Sequence, residues 1–271
     1  MTVEELLCFG KKYIHKTQGQ MLLASLLNVN TLELLLMLDR KVDNDICNEF
    51  KEKVLMIKDN VPIQYVIGNV NFYGNIFKVN KNVLIPRFET EELVENTVSL
   101  INEYFDYPVS IIDLGCGSGC IGITLKKKIP NSQVTLLDIS VKALEVAREN
   151  AKLLDSEVSF IESDMWDNVS SKYDVIISNP PYIRNDEEIE DLVRDNEPHL
   201  ALYGGIDGLD LYRKIHDGLL NHARERFLLA LEIGDMQKES VVKIFSDIKD
   251  IKIITKSDMQ SRDRMVFIIK C

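Results

Sequence analysis

The chain has little of what would mark a secreted, metal-holding or membrane-inserted protein. Its five cysteines are an odd number, scattered at positions 8, 47, 116, 120 and 271, and they show no paired ligand spacing. Cys116 and Cys120 are near neighbours but flank glycines, so the cysteines read as reduced small hydrophobes. The four histidines are far apart and near no cysteine cluster, so no metal is expected. Long apolar runs are missing too: stretches such as "TLELLLMLD" are short and broken by acids, and none approaches a membrane span. The leading segment, "MTVEELLCFGKKYIHK", places acids first and has no small-residue cleavage site after an apolar core, unlike a secretory signal. A cytoplasmic protein without a membrane partner is expected. Positive charge is also in short supply, with 32 Lys and Arg against 43 Asp and Glu and a net charge of −11. Tight duplex binding rests on phosphate neutralisation by a basic surface, so a protein or small-molecule partner is expected rather than a stable nucleic-acid complex.

What is present is an ordinary globular composition, 45% hydrophobic and 28% charged over 271 residues, enough for one large domain and a small one. Residues 1–60 read as a small helical bundle: "TLELLLMLDRKV" has leucines on most faces, and "DNDICNEFKEKVLMIKD" opens with capping residues and continues with apolar positions at helical spacing. Residues 61–86 change texture. "VPIQYVIGNVNFYGNIFKVNKNVLIPRFE" is β-branched and aromatic, punctuated by Gly, Asn and Pro, and reads as a hairpin linker. From residue 87 to 271 an amphipathic helix leads into alternating strands and helices, the pattern of a mostly parallel α/β sheet covered on both faces. The last two strands are separated only by "SDMQSRD", which predicts an antiparallel pair at the sheet edge.

Three strand ends carry the candidate chemistry. "IIDLGCGSGCIGITL" sets Asp113, Gly115, Cys116, Gly117, Ser118 and Gly119 between a strand and a helix. Glycines there permit a tight turn and close approach of a ligand to the backbone. The spacing departs from a dinucleotide fingerprint, and Asp113 would repel a pyrophosphate while suiting an ammonium group. The next strand ends on Asp138, placed to accept ribose hydroxyls. The following one ends on Asp164, Met165 and Trp166, candidates for an adenine amine and ring. Together these describe a nucleoside pocket without phosphates, which S-adenosylmethionine fits; a nicotinamide cofactor is the rival.

"VIISNPPYIRN" then stops a buried strand on Asn179, Pro180, Pro181 and Tyr182. An enzyme that methylates a planar NH2 group needs two acceptors for its two hydrogens, because the nitrogen lone pair is delocalised. The Asn179 side-chain oxygen and the Pro180 carbonyl supply them, the latter held by a stiff Pro180–Pro181 pair. Tyr182 offers a flat face. No strong general base is needed, since the nitrogen becomes acidic once alkylated.

"DLGCGSGCIGI", "LLDIS" and "SNPPYI" resemble the amino-directed branch of class I methyltransferases. "PIQYVIGNVNFYG", "VLIPRFETEELVE", "EPHLALYGGIDGLDLYRKI" and "LALEIG" resemble, more narrowly, the peptide chain release factor glutamine methyltransferase family, from about Val61 onward. The resemblance implies a Rossmann-like sheet and a helical N-terminal domain that recognises the substrate protein. It also implies methyl transfer from S-adenosylmethionine, leaving S-adenosylhomocysteine, to the glutamine of the Gly-Gly-Gln loop in bacterial class 1 release factors. By position, Gly115 to Gly119, Asp138, Met165 and Asn179 would hold the cofactor, and Asn179 to Tyr182 the glutamine amide. The chain departs from the family pattern at Met165, where an aromatic is common, and at Phe88, where a second proline usually follows Arg87. A glutamine on a ribosomal protein, an adenine amine on nucleic acid, and a non-catalytic adaptor are the alternatives.

Overall fold

The computed structural model describes residues 1–271, which form two compact units, Met1–Asn69 with Glu190–Asn196, and Val70–Ile189 with Glu197–Cys271. The first unit holds α1 (Val3–Gly10), α2 (Lys16–Leu27), α3 (Thr31–Leu35), α4 (Asn44–Lys58) and α5 (Ile63–Ile67). Reciprocal caps start three of them: Thr2 with Glu5, His15 with Gln18, and Asn30 with Glu33. Val3, Leu6, Leu22, Leu23, Leu34, Phe50 and Val54 fill the core of this unit.

Two local readings change here. The run read as a helix through Val42 stops at Leu35, and Leu32 and Leu36 are exposed. The chain then turns so that Lys41 bridges to Thr2 and Val3 N–H donates to Arg40 O, giving Val42 a buried place that a continued helix would not. The segment read as a hairpin contains a helix: Pro62 stands at the N-cap of α5 and left-handed Gly68 ends it. Paired strands cover only β1 (Asn69–Phe72) and β2 (Asn75–Lys78).

The second unit continues with α6 (Phe88–Tyr104), β3 (Ser110–Leu114), α7 (Cys120–Lys128), β4 (Gln133–Asp138), α8 (Val141–Leu153), β5 (Ser159–Glu162) and β6 (Tyr173–Ser178). A short helix, α9 (Asp191–Arg194), belongs with the first unit, and the second resumes with α10 (Asp210–His222), β7 (Ala223–Glu232), α11 (Lys238–Ile244), β8 (Ile251–Ser257) and β9 (Asp263–Lys270). Seven strands form one sheet in the order β5-β4-β3-β6-β7-β9-β8. The first five pair in parallel, and β9 runs antiparallel to both β7 and β8. The expected mostly parallel class I methyltransferase sheet with an antiparallel last strand is therefore the fold.

The two-residue period of a strand sorts its side chains into two cores. Ile111, Val175, Ile177, Leu228 and Ala230 pack on one face, under Leu93 of α6, Ile123 of α7 and Leu144 of α8. Ile112, Leu114, Ile176, Leu229 and Leu231 pack on the other, under Tyr212 and Ile215 of α10 and Val241 of α11. All six residues of β6 are buried, as a central parallel strand requires. The chain runs from β3 outward to β5 and returns to β6 on the opposite side of β3, so the strand order reverses between β3 and β6. In open sheets of this kind the crevice outside the carboxyl ends at such a reversal is where ligands bind. No helix is long and apolar enough to cross a membrane.

Candidate active site

The loop after β3 is held open by its glycines. Gly115, Gly117 and Gly119 take φ of 70°, 54° and 78°, a region that side-chain-bearing residues rarely adopt. A Cβ on Gly115 or Gly117 would meet nothing within 4 Å, so these two line free space; one on Gly119 would press on Ile123, Leu136 and Ala147. Backbone bonds fix the turn: Cys116 N–H donates to Leu137 O at 2.8 Å, and Gly119 N–H to Cys116 O at 2.8 Å. Asp138 ends β4 with both oxygens engaged, Oδ2 accepting from Gly117 N–H and Oδ1 from Ser140 N–H, each at 2.8 Å. Burial raises the Asp138 pKa above the usual carboxylate range, and the N–H groups of Ser140, Gly117 and Ile139 hold it back.

Asp113 is wholly buried. Its Oδ2 accepts from Gly122 N–H at 2.9 Å, while Oδ1 has no partner. Burial pushes its pKa up to about 7 against the Gly122 bond, with Asp138 adding repulsion. Ser118 and Cys116 are buried in the same turn, and burial raises Cys116 and takes Cys120 to about 12, so neither thiol is a nucleophile at neutral pH. The sequence reading missed Asn150. This buried α8 residue donates Nδ2–H to Ser118 O at 2.9 Å and to Lys78 O at 3.0 Å, and its Oδ1 accepts from Lys78 N–H at 2.7 Å. A polar side chain on the buried stripe of "VARENAKLL" was the available signal.

The third strand end is partly drawn away from the crevice. Asp164, half exposed, pairs with Lys214 Nζ at 2.9 Å. Trp166 donates Nε1–H to Lys214 O at 3.0 Å and stacks on His222, centroids 4.8 Å apart, with Gly218 of α10 close against the indole. The indole, one of two candidates to cover an adenine, is thus seated on α10. Met165, at φ 47° and half-buried, is the residue of the three that these bonds leave uncommitted.

At the end of β6, Ser178 Oγ–H donates to Leu114 O at 2.7 Å, locking this strand end to β3. Asn179 follows, and its Nδ2–H donates to Thr90 Oγ1 at 3.3 Å. Thr90 in turn donates to Glu232 Oε2 at 2.7 Å. Thr90 is in the first turn of α6 and Glu232 ends β7; both are buried. Both lie in blocks that carry the family resemblance, Thr90 in "VLIPRFETEELVE" and Glu232 in "LALEIG" at a strand end beside the pocket, but the bond that joins them was not expected. Burial raises the Glu232 pKa to about 7 against the bond from Thr90, the charge of Arg264 and a bond from the Asn179 side chain, with Glu89 adding repulsion. Tyr182 is pushed up to about 12, by burial first and then by Glu232, so it stays a neutral phenol.

The glycines of "YGGIDGLD" do more than turn the chain. A Cβ on Gly204 would lie 2.4 Å from Pro181 O, and one on Gly208 would lie 2.3 Å from Tyr182 O. Gln237 Nε2–H donates to Tyr182 O at 3.0 Å and to Gly208 O at 3.4 Å, tying the two segments together. Arg87 pairs with buried Glu197 at 2.6 Å, and Glu197 also accepts from Ile85 N–H at 3.0 Å, pinning the segment before α6. A polar groove lined by Ser110, Lys126, Gln133, Tyr173 and Arg224 lies at the opposite, amino edge of the sheet and contains none of these residues.

The structure therefore gathers Asp113, Gly115 to Gly119 and Asp138 at one end of the crevice, and Asn179 to Tyr182 at another strand end of the same edge. The methyltransferase small domain family matches residues 90–206, and the PrmC N-terminal domain family matches residues 14–68. A release factor glutamine methyltransferase of Bacillus cereus is 38% identical over 256 residues, spanning 92% of this chain and 90% of the relative. Its namesake in Streptococcus pneumoniae is 38% identical over 248 residues, spanning 90% of this chain and 88% of the relative. Among solved structures, a methyltransferase from Pyrococcus furiosus superposes with a TM-score of 0.55 at 17% identity, covering 81% of this chain and 97% of that one, a likeness of fold. With relatives so similar over nearly its whole length, the chain belongs to the release factor glutamine methyltransferase family of enzymes.

Proposed function

We propose that this enzyme transfers a methyl group from S-adenosylmethionine to the side-chain amide nitrogen of the glutamine in the Gly-Gly-Gln loop of bacterial class 1 release factors. The residues at the β3 and β4 ends fit that cofactor. Gly115 and Gly117 front free space, Asp113 keeps a buried carboxylate oxygen without a partner, and no Lys or Arg stands between residues 113 and 122 to call for a phosphate. Asp113, Gly115 to Gly119, Asp138 and Met165 would hold it, with Asn179 at the border with the substrate. Bound there, S-adenosylmethionine supplies an electrophilic methyl on a sulfonium centre and leaves as S-adenosylhomocysteine.

The observation that carries the reading is the orientation of Asn179. Its NH2 faces Thr90 and Glu232, so the amide oxygen is the atom it offers to a substrate. That oxygen and the Pro180 carbonyl accept the two hydrogens of a carboxamide NH2. They orient its nitrogen and stabilise positive charge as it develops there. The Tyr182 ring, a neutral phenol, gives the planar amide a surface to lie on. The nitrogen proton goes to water, because an alkylated amide nitrogen is strongly acidic. The helical first unit is the part of the chain left to recognise the rest of the substrate protein, and the −11 charge favours a protein over nucleic acid.

The test is to incubate the enzyme with labelled S-adenosylmethionine and a release factor, then locate the label by mass spectrometry. Label on the loop glutamine, lost when that glutamine is changed to Ala, is the expected result. Label that survives the change, or that appears only on ribosomal protein or naked nucleic acid, overturns it.

A further inference from the structure

Thr90 has one hydroxyl proton, and it goes to the Glu232 carboxylate at 2.7 Å. Whatever faces the Thr90 oxygen from the other side must therefore be a donor. That, with the direct pull of the Glu232 carboxylate on the same NH2, turns the Asn179 amide so that Nδ2 faces Thr90 at 3.3 Å and Oδ1 faces away. The three residues come from α6, the end of β6 and the end of β7. Each donor in the row points toward the carboxylate, and hydrogen bonds in such a chain polarise one another. An amide whose N–H is engaged this way carries more negative charge on its oxygen. The opposite amide orientation would set NH2 against the substrate NH2, donor against donor.

We propose that Thr90 and Glu232 are positioning residues that hold the Asn179 amide in its accepting orientation and strengthen its oxygen as an acceptor. The inference rests on the reading of the site as a carboxamide clamp. Glu232 needs to be ionised for this, since a protonated carboxyl would donate to Thr90 and free the Thr90 hydroxyl to donate to Asn179 Oδ1. The charged and titratable groups facing Glu232 are Arg264 of β9, Glu89 of α6, Tyr182, Tyr212 of α10 and Cys120 of α7. Arg264 gives its hydrogen bonds to Asp258 and to Ile233 O, so it acts on Glu232 through its charge.

The experiment measures methyl transfer to a release factor at saturating cofactor for the natural enzyme, Thr90→Val, Thr90→Ser and Glu232→Gln, with cofactor binding by calorimetry and folding by thermal melts. Thr90→Val is expected to lower kcat about 10- to 100-fold, the loss of a hydrogen bond tied to a charge, while the cofactor Kd changes less than about twofold. Thr90→Ser, which keeps the hydroxyl, restores kcat to within about threefold. The ratio of natural to Glu232→Gln turnover rises about tenfold as pH goes from 6 to 8, because only the natural enzyme ionises there. Asp113 titrates in the same window but is present in both proteins and cancels in the ratio. A Thr90→Val kcat within about twofold of natural at every pH, or a flat ratio, overturns the inference. A second readout needs no turnover. The Asn179 side-chain 15NH2 pair, assigned by its loss in Asn179→Ala, should exchange slowly with solvent and quicken in Thr90→Val. Rapid exchange in the natural protein also overturns the inference, whereas slow exchange in an enzyme that methylates no release factor defeats only the substrate reading.

Discussion

Single residues divide by whether they touch reactants or hold what touches them. Asn179→Ala removes one amide acceptor from a half-buried position, so turnover should fall by about 10²- to 10³-fold with the melting temperature unchanged. A folded variant with normal turnover would dismiss the clamp. Asp138→Ala combines two effects, because both of its oxygens already serve backbone N–H groups. Calorimetry should show cofactor affinity down about 10- to 100-fold, and melts should show a loss of about 1–3 kcal/mol from the orphaned Gly117 and Ser140 donors. An unchanged cofactor affinity would remove Asp138 from the pocket. Much of this was legible beforehand, since glycine loops and proline-stopped strands are local patterns, readable within a dozen residues. The bond between Thr90 and Glu232 was not: 142 positions separate them, and no spacing rule links a first-turn threonine to a strand-end acid. Trp166 and Met165 stood as alternatives to cover the adenine ring; no local pattern shows that Gly218 and His222 of α10 pack against the indole.

Among elements, α8 and β2 matter beyond their area. Asn150 satisfies both backbone groups of Lys78 and one of Ser118, so a single amide joins helix, ribbon and glycine loop. Asn150→Ala leaves one buried and two partly buried backbone groups without this partner and should cost about 1–3 kcal/mol, and the loosened loop should weaken cofactor binding as well. Asn150→Leu, with a side chain of similar bulk and no hydrogen bonds, should do no better; a stable, tightly binding Leu variant would show that the amide only fills space. The sheet strands were legible because their two-residue period and β-branched content agree with where they sit. The end of α3 and the whole of α5 were not. Leucines on most faces of 31–38 carry no phase to mark a stop, and α5, from Ile63 to Ile67, is too short for periodicity to separate it from a strand.

For the whole molecule, two buried acids make stability depend on pH in an unusual direction. Asp113 and Glu232 titrate near 7 when folded, against about 4 when unfolded. Between those values the folded chain keeps protons that the unfolded chain has released. Their contribution is complete below pH 4, declines as pH climbs, and is gone above 7. Asp113→Asn removes one of the two titrations, so its melting temperature relative to the natural protein should rise by a few degrees between pH 5 and pH 8, measured without cofactor. A constant difference would mean that Asp113 is ionised throughout.

The insertion of β9 between β7 and β8 has its own consequence for assembly. β8 has no neighbour except β9, so it joins the sheet only through β9. Asp258 braces the bend between the two, gathering Gln260 and Arg262 N–H and the Arg264 side chain. β9, the last segment of the chain, is what covers the backbone of Phe227 to Glu232. Without it Phe227 to Leu231 is a naked ladder, open to any other chain, and refolding yield should drop with protein concentration for that reason.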